Sequence, residues 1–244
     1  MLAACGPGSP FPDMEPGETG RVVNVIDGDA LVLDTGQSVR LVSIEAPALY
    51  PRERPADIYA AESARLLEDL ALGRKVQLFY PGITRDRYDR ALAHVVTIDG
   101  SGPKTWLNRA MIENGGAWVR LYPDTAARGD ELMDLEKTAR GARRGLWSMS
   151  RYEVRDATTF TAEDQGFHVV RARLGIALNI PLDTKYPPAC LRELTGSSLL
   201  VSVRRNAKTV CGLANDTSVF VRGYVSGLEI DLTYPRHLEV IISD

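Results

Sequence analysis

The stretch VIDGDALVLDTGQSVRLVSIEAPAL, residues 25–49, decides how this chain is read. Apolar and β-branched residues alternate at period two over residues 24–26, 31–34 and 38–44, the pattern of half-buried strands. Thr35-Gly36 between the second and third runs has the chemistry of a hairpin turn. Charge falls where the pattern breaks. Asp27 and Asp29 flank Gly28, Arg40 interrupts the third strand, and Glu45 ends it just before Ala46-Pro47, where proline stops further ladder pairing. Two acids and one arginine are therefore expected to meet at one end of a small curled sheet.

Taken singly, each piece has a plainer reading. Asp-Gly-Asp between strands is a common turn signal, and Arg40 alone suits a solvated face. Arg90, in the charged run Arg87-Tyr88-Asp89-Arg90, suits a surface loop. Their joint order carries the site reading.

That order is DGD, a strand, RLxxI, an acid, AP, and then Asp86-Arg87-Tyr88-Asp89-Arg90. It resembles the thermonuclease, or staphylococcal nuclease-like, family over residues 20–147. The resemblance implies a mainly β fold with helices (α+β), a five-stranded OB barrel with three helices, and hydrolysis of DNA and RNA phosphodiesters with one calcium ion. It makes Asp29 and Glu45 calcium ligands, Asp27 a supporting carboxylate, and Arg40 and Arg90 catalytic phosphate clamps. The chain also departs from the family pattern, which usually has aspartate at Glu45, threonine at Ala30 and Ala46, and glutamate at Ala48. Calcium accepts flexible oxygen ligation, so Glu45 is a mild change. Ala48 is a severe one, because the missing glutamate is the group that would position or deprotonate the attacking water. Loss of a general base costs about 10² to 10⁴ in rate, and Glu53 in the following loop is the available substitute. Two readings stay open: a calcium-dependent envelope nuclease, and a pseudo-nuclease serving as a binding or scaffolding subunit of an envelope protein complex.

The 244 residues allow one large or two small domains, with 44% hydrophobic and 25% charged residues, ordinary for a globular protein. Residues 1–19 read as a start and tether: Leu2-Ala3-Ala4-Cys5 resembles a bacterial lipobox in which Cys5 carries lipid, and residues 6–17 are rich in Gly, Pro and Ser. The expected location is the bacterial cell envelope or periplasm, lipid-anchored to the membrane. With Cys5 set aside, Cys190 and Cys211 remain as an even pair, either a disulfide or two buried thiols. His94, His168 and His237 stand far apart, and no zinc spacing is present.

Residues 20–150 form the expected nuclease-like domain. Ile58, Ala61, Ala64, Leu67 and Leu70 mark a helix over residues 55–72, ended by Gly73. Residues 75–80 and 91–98 read as the last two barrel strands, joined by the loop that carries Arg90 to the mouth. Further helices are expected over residues 104–114 and 126–143. From residue 151 to 244 helical spacing gives way to short alternating runs at 167–174, 199–204, 219–225, 228–232 and 238–242, a second all-β, OB-like domain. It resembles an extension found after the nuclease domain in some bacterial members of the family. Residues 151–244 carry 11 Lys+Arg against 11 Asp+Glu and residues 1–150 carry 18 against 21. With a pI of about 5.7, nucleic acid remains an expected partner without the basic footprint of a tight binder.

Overall fold

The computed structural model describes residues 9–51, 54–98, 100, 104–178, 180 and 187–241. The chain divides into two compact units, the first running up to Arg120 and including Asp124–Met149, the second comprising Leu121–Pro123 and the chain from Ser150 onward.

In the first unit the elements run β1 (Glu15–Asp27), β2 (Ala30–Leu33), β3 (Ser38–Leu41), β4 (Ile44–Glu45), α1 (Ala60–Ala71), β5 (Lys75–Tyr80), β6 (Ala91–Thr97), α2 (Leu107–Glu113), β7 (Trp118–Val119) and α3 (Gly129–Gly141). Strands β1-β2-β3-β6-β5 close into a barrel. The alternation seen in the sequence turns Val22, Leu31, Leu33, Val39, Leu41 and Leu78 inward, all at most 1% exposed. Between β2 and β3, Gly36 takes φ 84° and its N–H donates to the Leu33 carbonyl at 2.9 Å, a left-handed turn position that glycine enters without strain. β3 and β6 pair in parallel, which requires a crossover, and α1 lies within it.

Three expectations need correction. The glycine- and proline-rich start is structured from Ser9 on. Phe11 and Met14 are buried against Phe79 and Val96, the Phe11 ring meets Trp106 edge-on at 5.1 Å, and strand pairing begins at Glu15 opposite Tyr80. One aromatic side chain buries enough apolar area to anchor a segment whose composition suggests a tether. Cys5 and the residues up to Gly8 lie outside the described residues. The second correction concerns the buried face of α1, which is Ala60, Ser63, Ala64, Leu67 and Ala71, while Ile58 is 54% exposed. A spacing of three residues drifts by about 60° per step around a helix of 3.6 residues per turn, so it cannot stay on one face. Finally, α2 and α3 are shorter at both ends than their apolar spacing suggests.

In the second unit the strands are β8 (Arg155–Asp156), β9 (Gly166–Leu178), β10 (Cys190–Leu194), β11 (Leu200–Val203), β12 (Ser218–Ser226), β13 (Glu229–Leu232) and β14 (Leu238–Val240). The sheet order β14-β12-β13-β11-β10-β9-β8 is joined by a β12–β9 pairing, which closes a ring β9-β10-β11-β13-β12. With β11 and β13 parallel, strand order and direction repeat those of the first barrel. The sequence reading missed β10 because an inward position on it is occupied by Arg192, 1% exposed, where alternation leads one to expect an apolar residue. Cys190 and Cys211 are joined by a disulfide with Cα atoms 6.0 Å apart. Among the described residues no helix is long and apolar enough to cross a membrane.

Candidate functional site: the mouth of the first barrel

The Asp27-Gly28-Asp29 junction between β1 and β2 sits directly under α1. A Cβ on Gly28 would lie 1.8 Å from Ser63 Oγ and 2.7 Å from the Ala46 Cβ, so only glycine lets the turn lie this close. Asp29 N–H donates to Asp27 Oδ1 at 3.2 Å, fixing the two acids in one turn. Asp29 itself is 4% exposed. Its Oδ2 accepts the Ala46 N–H at 2.6 Å and meets the Arg40 guanidinium in an ion pair. β3 delivers that guanidinium because Arg40 pairs with Ala30 of β2 on one side and Leu92 of β6 on the other.

Burial holds the Asp29 carboxyl well above the usual carboxylate range, with Arg40 opposing the shift and Asp27 adding to it. Arg40 is desolvated too, but the negative charges of Asp29, Glu45 and Asp27 outweigh that and raise its pKa. The four side chains therefore form one electrostatic group, with one acid more than the strand pattern alone suggested.

Glu45 reaches the group from another direction. The β4–β7 ladder sets Glu45 opposite Trp118, and Arg120 N–H donates to the Ser43 carbonyl at 3.0 Å. The next residue outward from the ladder, Arg120, then places Nε 3.1 Å from Glu45 Oε2. Sequence reasoning overlooked Arg120. Its signal is a lone charge ending the apolar run Ala117-Trp118-Val119.

Arg90 immediately precedes β6 and is held by its own loop. Its Nε donates to Asp86 Oδ2 at 2.8 Å and its backbone N–H to Asp86 Oδ1 at 3.0 Å. The guanidinium packs 5.7 Å from the Tyr88 ring centre. Arg90, which the resemblance makes a phosphate clamp, is thus paired with Asp86 of its own loop, its side chain 35% exposed.

At position 48 the side chain is a methyl group, and a carboxylate meets the backbone instead. Ala48 N–H donates to Asp57 Oδ2 at 2.9 Å, Asp57 N–H donates to the Ala48 carbonyl at 2.9 Å, and Arg54 forms an ion pair with the Asp57 carboxylate. Asp57 is thus a second residue missed in the sequence, and it closes the loop following the mouth. Glu53 lies outside the described residues.

The carboxylates do not fit a calcium ion as they stand. Calcium takes six to eight oxygens, whereas the Asp29 carboxylate is committed to Arg40 and the Ala46 N–H, and that of Glu45 to Arg120. Among the described residues no group of three His, Cys, Asp or Glu side chains converges as a metal cage.

The closed barrel of five strands is of the OB class, with arginines and carboxylates at its mouth. Residues 38–149 match the family described as Staphylococcal nuclease homologue. The Thermonuclease of Staphylococcus hyicus is 25% identical over 134 residues, covering 54% of this chain and 76% of that protein. Protein ParB of Escherichia coli is 35% identical over 136 residues, 53% of this chain and 72% of that protein. Probable endonuclease LCL3 of Schizophyllum commune is 32% identical over 120 residues, 45% of this chain and 40% of that protein. The chain belongs to the staphylococcal nuclease family, whose members are generally calcium-dependent.

Proposed function

We propose that the first barrel binds the phosphodiester backbone of nucleic acid and hydrolyses it weakly or not at all, acting as a binding or scaffolding module of a bacterial envelope complex. The observation that carries this reading is position 48. A methyl group stands there, and the nearby Asp57 carboxylate is spent on the Ala48 N–H and on Arg54. Among the described residues, neither position 48 nor Asp57 supplies a free carboxylate to take a proton from water, and such a loss is worth about 10² to 10⁴ in rate. Arg40, at the mouth and part-exposed, is the residue for a phosphate oxygen. The acidic balance of the chain agrees with modest affinity.

A second reading, an active calcium-dependent nuclease, is favoured by one observation: Asp27, Asp29, Arg40 and Glu45 do gather in one electrostatic group. The assay that separates them is cleavage of single-stranded DNA and RNA by the full chain, in millimolar calcium and in chelator. Cleavage within a hundredfold of an active thermonuclease in calcium would sink the first reading, and binding without cleavage is the expected result.

The envelope location is supported by the Leu-Ala-Ala-Cys start and by the Cys190–Cys211 disulfide, since disulfides persist in oxidising compartments. Labelling with a palmitate analogue should mark the protein and spare the Cys5→Ala variant. Equal labelling of both would overturn the lipid anchor.

A further inference from the structure

We propose that the Arg120 guanidinium takes over the position and charge of the divalent cation at Glu45, so that this mouth is blind to calcium. The inference rests on the phosphodiester-binding reading of the same mouth and deepens it. Glu45 occupies the position where the family resemblance puts a metal ligand, and its carboxylate is paired to Arg120 at 3.1 Å. Both partners are half-buried, with side chains 23% and 25% exposed. The backbone fixes the pair as well: Arg120 N–H is hydrogen-bonded to Ser43 and the β4–β7 ladder aligns the neighbouring residues.

Formal charge makes the same point. Asp27, Asp29 and Glu45 contribute three negative charges and Arg40 one positive charge, leaving two for a divalent ion to neutralise. Arg120 reduces the remainder to one, and it does so with a group that cannot dissociate. An ion arriving at Glu45 would have to displace the guanidinium and then sit beside it. With the guanidinium held within about 6 Å of the ion, that repulsion weakens calcium binding by about tenfold even in the dielectric of water.

The decisive measurement is calcium titration of the full-length protein by calorimetry, paired with thermal melting in millimolar calcium or chelator. The wild-type protein should take up no heat on titration and melt at the same temperature in both media. Arg120→Gln should bind calcium at least about tenfold more tightly than wild type and melt higher with calcium than without. Arg120→Lys, which keeps the charge, should remain blind, an outcome that a merely structural role for Arg120 would not produce. Arg120→Met serves as a second neutral variant should the glutamine one fold poorly. Calcium binding by the wild type, or a neutral variant that folds and still ignores calcium, would overturn the proposal. Failure of the functional reading is distinguishable: cleavage in chelator would sink that reading and leave this one standing, whereas calcium uptake without cleavage would do the reverse.

Discussion

Arg192 donates from Nη1 to the carbonyl oxygen of Leu213 at 2.8 Å from inside the second barrel. It also reaches the Cys211 carbonyl at 3.1 Å, the Gly175 carbonyl at 2.7 Å and Asn215 Oδ1 at 3.1 Å. All four acceptors are neutral, and burial pushes the guanidinium pKa down. The arginine acts as a many-armed cap that satisfies an irregular segment having no ladder of its own. Arg192→Met would strand several acceptors at about 1 to 3 kcal/mol each. A fall of about 3 kcal/mol or more in the stability of the second unit is expected from denaturant unfolding, with the first unit unchanged. A neutral substitution would contradict this account of the cap.

The same segment is tied covalently, Cys211 to Cys190, across 21 positions of sequence. Loop-closure entropy assigns such a link about 3 kcal/mol. Melting of the second unit should drop by several degrees in reductant, and the Cys190→Ala/Cys211→Ala variant should match the reduced protein. Equal melting temperatures in both media would exclude that contribution.

His94 supplies a pH dependence. Burial lowers its pKa to about 4. Its Nδ1 accepts the Trp106 indole N–H at 3.2 Å, so Nε2 carries the proton toward the Ala127 carbonyl at 3.2 Å. The unfolded chain takes up a proton near pH 6.5 and the folded chain does not until about 4. Stability is therefore fully present above 6.5 and falls as pH drops through that window, by about 3 kcal/mol for this residue. Asp29, with its carboxyl pKa raised, works in the opposite sense. The difference between wild type and His94→Gln isolates the histidine: the variant should lose less stability between pH 7 and 4 in denaturant titrations.

Gly28→Ala should destabilise the first unit by about 1 to 3 kcal/mol through overpacking against Ser63 and Ala46. Pairing it with Ser63→Ala should recover part of that loss, since the Ser63 hydroxyl is the nearest obstruction. Additive losses in the double variant would show that the strain lies elsewhere.

Restoring a carboxylate at position 48 tests the chemistry. Ala48→Glu alone should stay near background in calcium, because the mouth still lacks its ion. Combined with Arg120→Gln, it should raise cleavage of single-stranded DNA by about two orders of magnitude. Removal of Arg40 in that background should abolish the gain. Full cleavage by the single variant would show that Arg120 is no obstacle.

Period-two alternation and turn chemistry marked the strands of the first barrel in the sequence, because strands that bury one face must repeat every second residue, whereas their closure into a five-stranded barrel was implied only by the family resemblance. The Asp27, Asp29 and Arg40 grouping was legible for the same reason: charges that break an alternation at strand ends are carried to one rim. Glu45 was legible as a residue of that rim but not as half of a pair. Its partner Arg120 lies 75 positions away in sequence, and only the short β4–β7 ladder brings them together. Arg90 and Asp86, four residues apart, form the reverse case. The sequence places both in one loop, yet whether the arginine reaches outward or folds back on its neighbour is decided by the loop backbone, where Asp86 accepts from Tyr88 and Arg90 N–H groups together. Strand β10 was hidden because hydrophobic patterning reads a buried arginine as a surface residue. Only the tertiary structure supplies the carbonyl oxygens that make burying it tolerable.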